Sequence, residues 1–171
     1  MSDSSVRAGA ANPFTIGSLR EAGFVGWMRF DELRGGSCPS NGGVYVVTYP
    51  SGKPTSFPAS SCGGWFKGKD PSVPAMTLLA NWVDGAEVVY IGKADQLWRR
   101  LRQFAEFGAG KPIGHWGGRL IWQLPNISDL RVAWKETPGR VPRDVEAELI
   151  ASFRQVYGKA PFANAPHLMG R

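Results

Sequence analysis

A phenol, an ammonium and a guanidinium stand close together in the segment Val88 to Leu101, VVYIGKADQLWRRL, as Tyr90, Lys93 and Arg100. Such a set recognises anions: the ammonium and guanidinium bind phosphate or carboxylate, the guanidinium through two points, and a phenol gives or takes a proton. A carboxylate, Glu146, stands in the later segment PRDVEAELIASFRQVY. At about 100° per residue it falls roughly 30° from the centre of the stripe formed by Val145, Leu149, Ile150, Phe153, Val156 and Tyr157, whereas Glu148 points to water. A carboxylate on a buried face costs several kcal/mol unless it is paired or binds a cation, and spacing leaves both open, a bridge to an arginine or a metal.

The elements that position these groups follow from periodicity. The run ending in Tyr90-Ile91-Gly92 reads as a strand over Glu87 to Gly92, followed by a helix with Asp95 as its cap. Leu97, Leu101, Phe104 and Ala105 form that helix's buried stripe, which puts Arg100 on the stripe's flank and leaves Arg99 and Arg102 on a basic outer face. Val44 to Tyr49 is the partner strand, with Tyr45, Val47 and Tyr49 on one face and Val44, Val46 and Thr48 on the other. The stretch Pro50 to Ala86 between them is too long for a hairpin turn and carries one short helix around Met76 to Trp82. It reads as a functional surface loop whose Lys53, Lys67 and Lys69 either contact phosphate or keep the loop soluble.

GAGK at Gly108 to Lys111 fails as a phosphate loop, because the full spacing is absent and Pro112 follows the lysine. His115 to Leu124 reads as a second helix or an irregular core segment, Leu130 to Glu136 as a third strand, and Pro142 to Tyr157 as the last long helix. Residues 1–13 read as a disordered leader and 166–171 as a tail. Residues 14–41 read as a helical appendage, with a helix over Thr15 to Ala22 capped by Thr15 or Ser18 and a second helical turn near Phe30 to Arg34; it covers a sheet face or binds a partner.

The chain of 171 residues carries a net charge of +6 and a pI near 9.6. This balance favours an anionic partner, nucleic acid first. No run of about 18 apolar residues occurs, so the expectation is a cytoplasmic protein with no membrane contact. Cys38, Cys62, His115 and His167 do not have zinc-ligand spacing, and both cysteines read as reduced thiols.

Taken together, these residues resemble the GIY-YIG nuclease superfamily. Gly43-Val44-Tyr45 stands for the first triad with Val in place of Ile, and Tyr90-Ile91-Gly92 matches the second. Lys93 takes the basic position after it, Arg100 the arginine position, Glu146 the glutamate of an E-x-x-L-I helix, and Asn164 the asparagine that closes the domain. The resemblance covers residues 42–165 and is interrupted by the 50–86 insertion. Phe104 stands where many members carry Tyr or His, and His115 either substitutes for that group or hydrogen-bonds within its loop.

The resemblance implies an α+β fold in which a three-stranded antiparallel sheet is flanked by helices in the order ββααβα. It implies an endonuclease acting on nucleic acid, DNA first. Glu146 would hold Mg²⁺, with Mn²⁺ as a substitute, Arg100 would clamp the scissile phosphate, and Tyr90 would orient the water. Tyr45 would be the general base, its pKa lowered by Lys93 and the cation. Nucleic-acid contacts are expected from Lys93, Arg99, Arg100, Arg102, Lys67 and Lys69. The rival is a non-catalytic nucleic-acid-binding or protein-interaction module on the same scaffold, and either reading leaves room for a protein partner on the N-terminal segment or the insertion.

Overall fold

A computed structural model describes residues 11–165; the leader's first ten residues and the expected tail 166–171 lie outside them. In chain order the elements are α1 (Ile16–Glu21), β1 (Val25–Met28), β2 (Gly43–Thr48), α2 (Ala75–Asn81), β3 (Val88–Ala94), α3 (Leu97–Gly108), β4 (Arg131–Glu136) and α4 (Pro142–Tyr157). The fold is α+β, with an antiparallel sheet of order β1-β4-β2-β3.

The sheet has four strands where three were expected. The extra strand, β1, comes from the segment read as a helical appendage. Its sequence VGWM hides the strand because Gly26 interrupts the alternation and a bulge falls between Gly26 and Met28. Cross-strand pairing with β4, not local propensity, makes it a strand. Residues 14–41 are thus part of the same body, and even Asn12, read as leader, donates to the Tyr157 hydroxyl at 2.7 Å.

β2 is central, paired on both edges and buried along its whole length. On one face Tyr45, Val47 and Tyr49 pack with Leu97, Leu101 and Phe104 of α3; on the other Val44 and Val46 pack with Ile91, Ala133 and Phe153. A strand with β-branched and aromatic residues on both faces suits such a position.

α3 begins one residue later than Asp95 would set it. The cap position is Gln96, which makes no side-chain cap bond, and the Leu97 and Trp98 amides donate to the carbonyls of Asn41 and Pro39, both at 3.0 Å. The second expected helix is a single 3-10 turn, Arg119–Gln123. Gly118 in a left-handed conformation before it and Pro125 after it bound the segment at both ends.

α4 runs over the span its periodicity predicts, with Pro142 at its start and Gly158 in a left-handed conformation at its end. Its buried stripe is narrower than the spacing suggests, since Phe153 is buried, Val145, Leu149, Ile150 and Tyr157 are half-buried, and Val156 is exposed. The 50–86 insertion is fastened to the body by the buried Gln123 side chain. Its amide nitrogen donates to the carbonyls of Pro58 and Val73 at 2.9 and 2.8 Å, and its oxygen accepts from the Val73 amide at 2.9 Å.

Candidate functional site

Antiparallel register places Tyr45 opposite Gly92. The Tyr45 ring lies across that glycine: a Cβ there would meet Tyr45 Cζ at 2.3 Å, so Gly92 is required by close approach. Tyr90, two residues earlier on the same face of β3, sets its ring 5.9 Å from that of Tyr45. Phe104 of α3 packs on both, with ring centroids 6.2 and 5.6 Å away. Gly118, at φ +79°, closes this aromatic wall; a Cβ there would stand 2.9 Å from the rings of both Tyr90 and Phe104.

Arg100 comes off the flank of α3's buried stripe and is half-buried, as spacing predicts, while Arg99 is exposed. β3, α3 and α4 then bring Lys93, Arg100 and Glu146 to the same opening as the two phenols. Tyr45, Tyr90, Lys93, Arg100 and Glu146 line one basin of about 460 Å³. Side chains that lie a hundred residues apart in the chain therefore share a single cavity.

The Glu146 carboxylate makes no hydrogen bond and no ion pair within 4.0 Å among the described residues. Burial holds its pKa above the ordinary carboxylate value, and Lys93, Arg100 and Arg143 oppose that rise through space. The bridge to an arginine that spacing left open is therefore not formed. Burial also raises the Tyr45 phenol, opposed first by Arg100 and then by the Tyr90 hydroxyl. This reverses the expectation of a lowered phenol: the ring is fully enclosed, and desolvation disfavours the phenolate more than Arg100 favours it. Tyr90 is raised further, by burial and by Tyr45 beside it.

The remaining predicted residues are placed elsewhere. His115 is buried, with its ring stacked on Phe104 at 4.0 Å and 9°, and its imidazole is held well below its usual pKa by burial and by Arg100. It makes no contact with its loop through either ring nitrogen among the described residues. Asn164 does not line the basin. It donates to the Ile91 carbonyl at 2.8 Å and accepts from the Ile91 amide at 2.9 Å, so that it completes the outer edge of β3 between Tyr90 and Gly92.

Arg99 and Arg100 border a shallower groove beside the basin, together with Gln96 and Gln103. Arg102 points the other way, over the Trp98 ring and 3.7 Å from Glu106. Lys53 pairs with Asp84 at 3.9 Å, and Lys67 and Lys69 lie on a tight exposed turn of the insertion.

Sequence reasoning missed Trp116, Gly117 and Asp95, which complete the basin lining, and Arg143, one turn before Glu146 on α4. Asp95 was read as a helix cap, and the paired glycines at 117 and 118 were the one available sign that backbone approaches an aromatic wall there. Among the described residues no group of three or more His, Cys, Asp or Glu gathers to hold a metal. The donor set still fits Mg²⁺, which keeps several waters and commonly takes one or two carboxylates plus phosphate oxygens. A half-buried carboxylate without a partner, facing a roomy basin, is that kind of ligand.

Comparisons with protein-family models, with curated proteins and with solved structures find no match to this chain. What the fold and the basin define on their own is an α+β domain with a cavity that combines cations, phenols, the exposed acid Asp95 and the half-buried acid Glu146. Among the described residues no helix is long and apolar enough to cross a membrane.

Proposed function

We propose that this chain is a metal-dependent endonuclease of the GIY-YIG kind, hydrolysing phosphodiester bonds in nucleic acid, DNA first. The observation that carries the reading is the state of Glu146: half-buried, raised in pKa and without a direct partner, in a basin shared with Lys93, Arg100 and both phenols. A charge desolvated and left unpaired is costly, and a cation-dependent site gives that cost a use.

Each residue has a chemical task in this reading. Arg100 grips the scissile phosphate through two points, and Lys93 adds a second positive charge to the phosphoryl oxygens. Tyr90 orients the attacking water, and Tyr45 takes its proton. Because burial raises Tyr45, the reaction favours alkaline pH. Glu146 would hold the Mg²⁺, which supplies charge neutralisation at the leaving oxygen. Phe104 and His115 form a dry wall behind the phenols. Asn164 positions Tyr90 and Lys93 through the β3 backbone without touching substrate.

The test is cleavage of a panel of single-stranded, duplex and branched DNA in Mg²⁺ and Mn²⁺. Wild-type protein is expected to yield metal-dependent products, and Glu146→Gln to lose them by about a thousandfold with a melting temperature no lower than wild type's, in line with the loss of a group that stabilises the transition state. Equal cleavage by the two proteins sinks the mechanism. Salt-dependent binding without products at any metal concentration supports the non-catalytic binding module instead.

A further inference from the structure

The insertion carries a feature that the basin does not use. Phe66 and Lys69 bond to each other in both directions, the Phe66 amide to the Lys69 carbonyl at 3.3 Å and the Lys69 amide to the Phe66 carbonyl at 3.0 Å. The residues between them have positive φ, 50° at Lys67 and 73° at Gly68. This is a two-residue turn of the mirror-image type, in which the first position is usually Asn, Asp or Gly. A lysine there is strained, and backbone strain retained in an exposed turn directs attention to the side chain that it displays.

What the turn displays is cationic and aromatic. Lys67 and Lys69 are exposed and make no ion pair among the described residues. Trp65 is 58% exposed, the most exposed of the chain's seven tryptophans. The turn is nevertheless firmly based. The Gly64 amide donates to the Phe107 carbonyl at the end of α3 at 2.9 Å, and the Phe66 ring lies against Gly114, where a Cβ would meet it at 3.1 Å. Gly114 is two residues before Trp116, which lines the basin. Anchored at Gly64 and Phe66, the turn presents an exposed indole and two exposed lysines close to the end of α3.

We infer that the Trp65–Lys69 turn is a nucleic-acid contact at which the Trp65 indole stacks on an unpaired base while Lys67 and Lys69 meet the flanking phosphates. An aromatic face takes any base, and lysines close to it in the turn meet the backbone, which is how single strands are held without sequence readout. A blunt duplex offers a free base face only at its two ends, so the contact favours substrates with a single-stranded or frayed stretch. The inference rests on the proposal that nucleic acid is the substrate, and not on the cleavage step.

The experiment measures binding by fluorescence anisotropy, in EDTA, of a labelled single-stranded oligonucleotide and of the matching blunt duplex. Trp65→Ala is expected to weaken single-strand binding about tenfold or more and duplex binding by less than about threefold, and Trp65→Phe to restore most of the loss. Lys67→Gly removes both the charge and the strain. It should lower the salt slope on the single strand by about 0.7 and leave the melting temperature equal or higher. Unchanged single-strand affinity in Trp65→Ala, or an equal loss on both substrates, overturns the inference. Because no metal is present, the outcome is separable from cleavage: a Trp65 effect in a protein that cuts nothing keeps the stacking contact and removes the endonuclease, and the converse result does the reverse.

Discussion

Arg100 and Arg102 stand two residues apart on one helix, and their surroundings could hardly differ more. Arg102 is exposed, 3.7 Å from Glu106 and over the Trp98 ring, with Lys111 on the same carboxylate at 3.4 Å. Its charge is met by neighbours and by water, and such surface pairs contribute little. Arg100 is half-buried, has no ion pair among the described residues, and shares the basin with Glu146, which has none either. Two opposite charges in one cavity that do not close on each other leave room between them. The outer flank of α3 is charge satisfied by charge; the inner flank is charge held apart, as a phosphate and a cation would require.

That contrast can be broken by substitution, and the largest effect belongs to the basin. Arg100→Ala is expected to lower kcat about a hundredfold to a thousandfold on a cleavable DNA, and Arg102→Ala by less than threefold; similar losses from both would erase the distinction. Gly92→Ala drives a methyl group into the Tyr45 ring and should cost about 1–3 kcal/mol in urea unfolding, together with most of the turnover. Asn164→Leu leaves the Ile91 amide and carbonyl without their partners, and should cost about 2–4 kcal/mol. If the folded fraction of Asn164→Leu turns over more slowly than wild type, Asn164 positions the β3 side chains; activity that only tracks the folded fraction makes its role structural alone.

Protonation sharpens the comparison with a smaller signal. Glu146 must be ionised to hold a cation, and its pKa is raised above the ordinary 4.5, so the acid limb of kcat/KM should lie above that value. Tyr45 acts as a base only when ionised, and burial raises it above the ordinary 10.0, so the rate should still be climbing at the alkaline end. A profile flat above neutrality would remove Tyr45 from proton transfer. For stability the sign is the opposite of a paired acid's: the folded state prefers the protonated Glu146, a preference complete below 4.5 and lost as pH rises through the raised value. Glu146→Gln should therefore melt higher than wild type at neutral pH, and the gap should close on acidification.

Much of this molecule was legible in its residues. The span of α4 followed from a 3.6-residue period that opens at Pro142 and stops before Gly158, and the flank position of Arg100 followed from the same arithmetic on α3. Strand β1 was not legible, because Gly26 and a bulge break the alternation and pairing with β4 supplies what local preference lacks. Asp95 was misread because a backbone from residues 39–41 caps α3 in its place. The Trp65 turn was visible only as two lysines in a loop, since nothing in the sequence states that Lys67 takes a positive φ.

By itself the sequence determined the types of groups and the face each takes on its own element, because side-chain direction follows from helical and strand periods that the chain carries locally. Tertiary structure alone decided that Tyr45, Arg100 and Glu146 face one cavity, that Glu146 stays unpaired within it, and that the Tyr45 phenol is pushed up instead of down. These are consequences of how strands pair and how much water is excluded, and both depend on residues too distant along the chain for any local pattern to record.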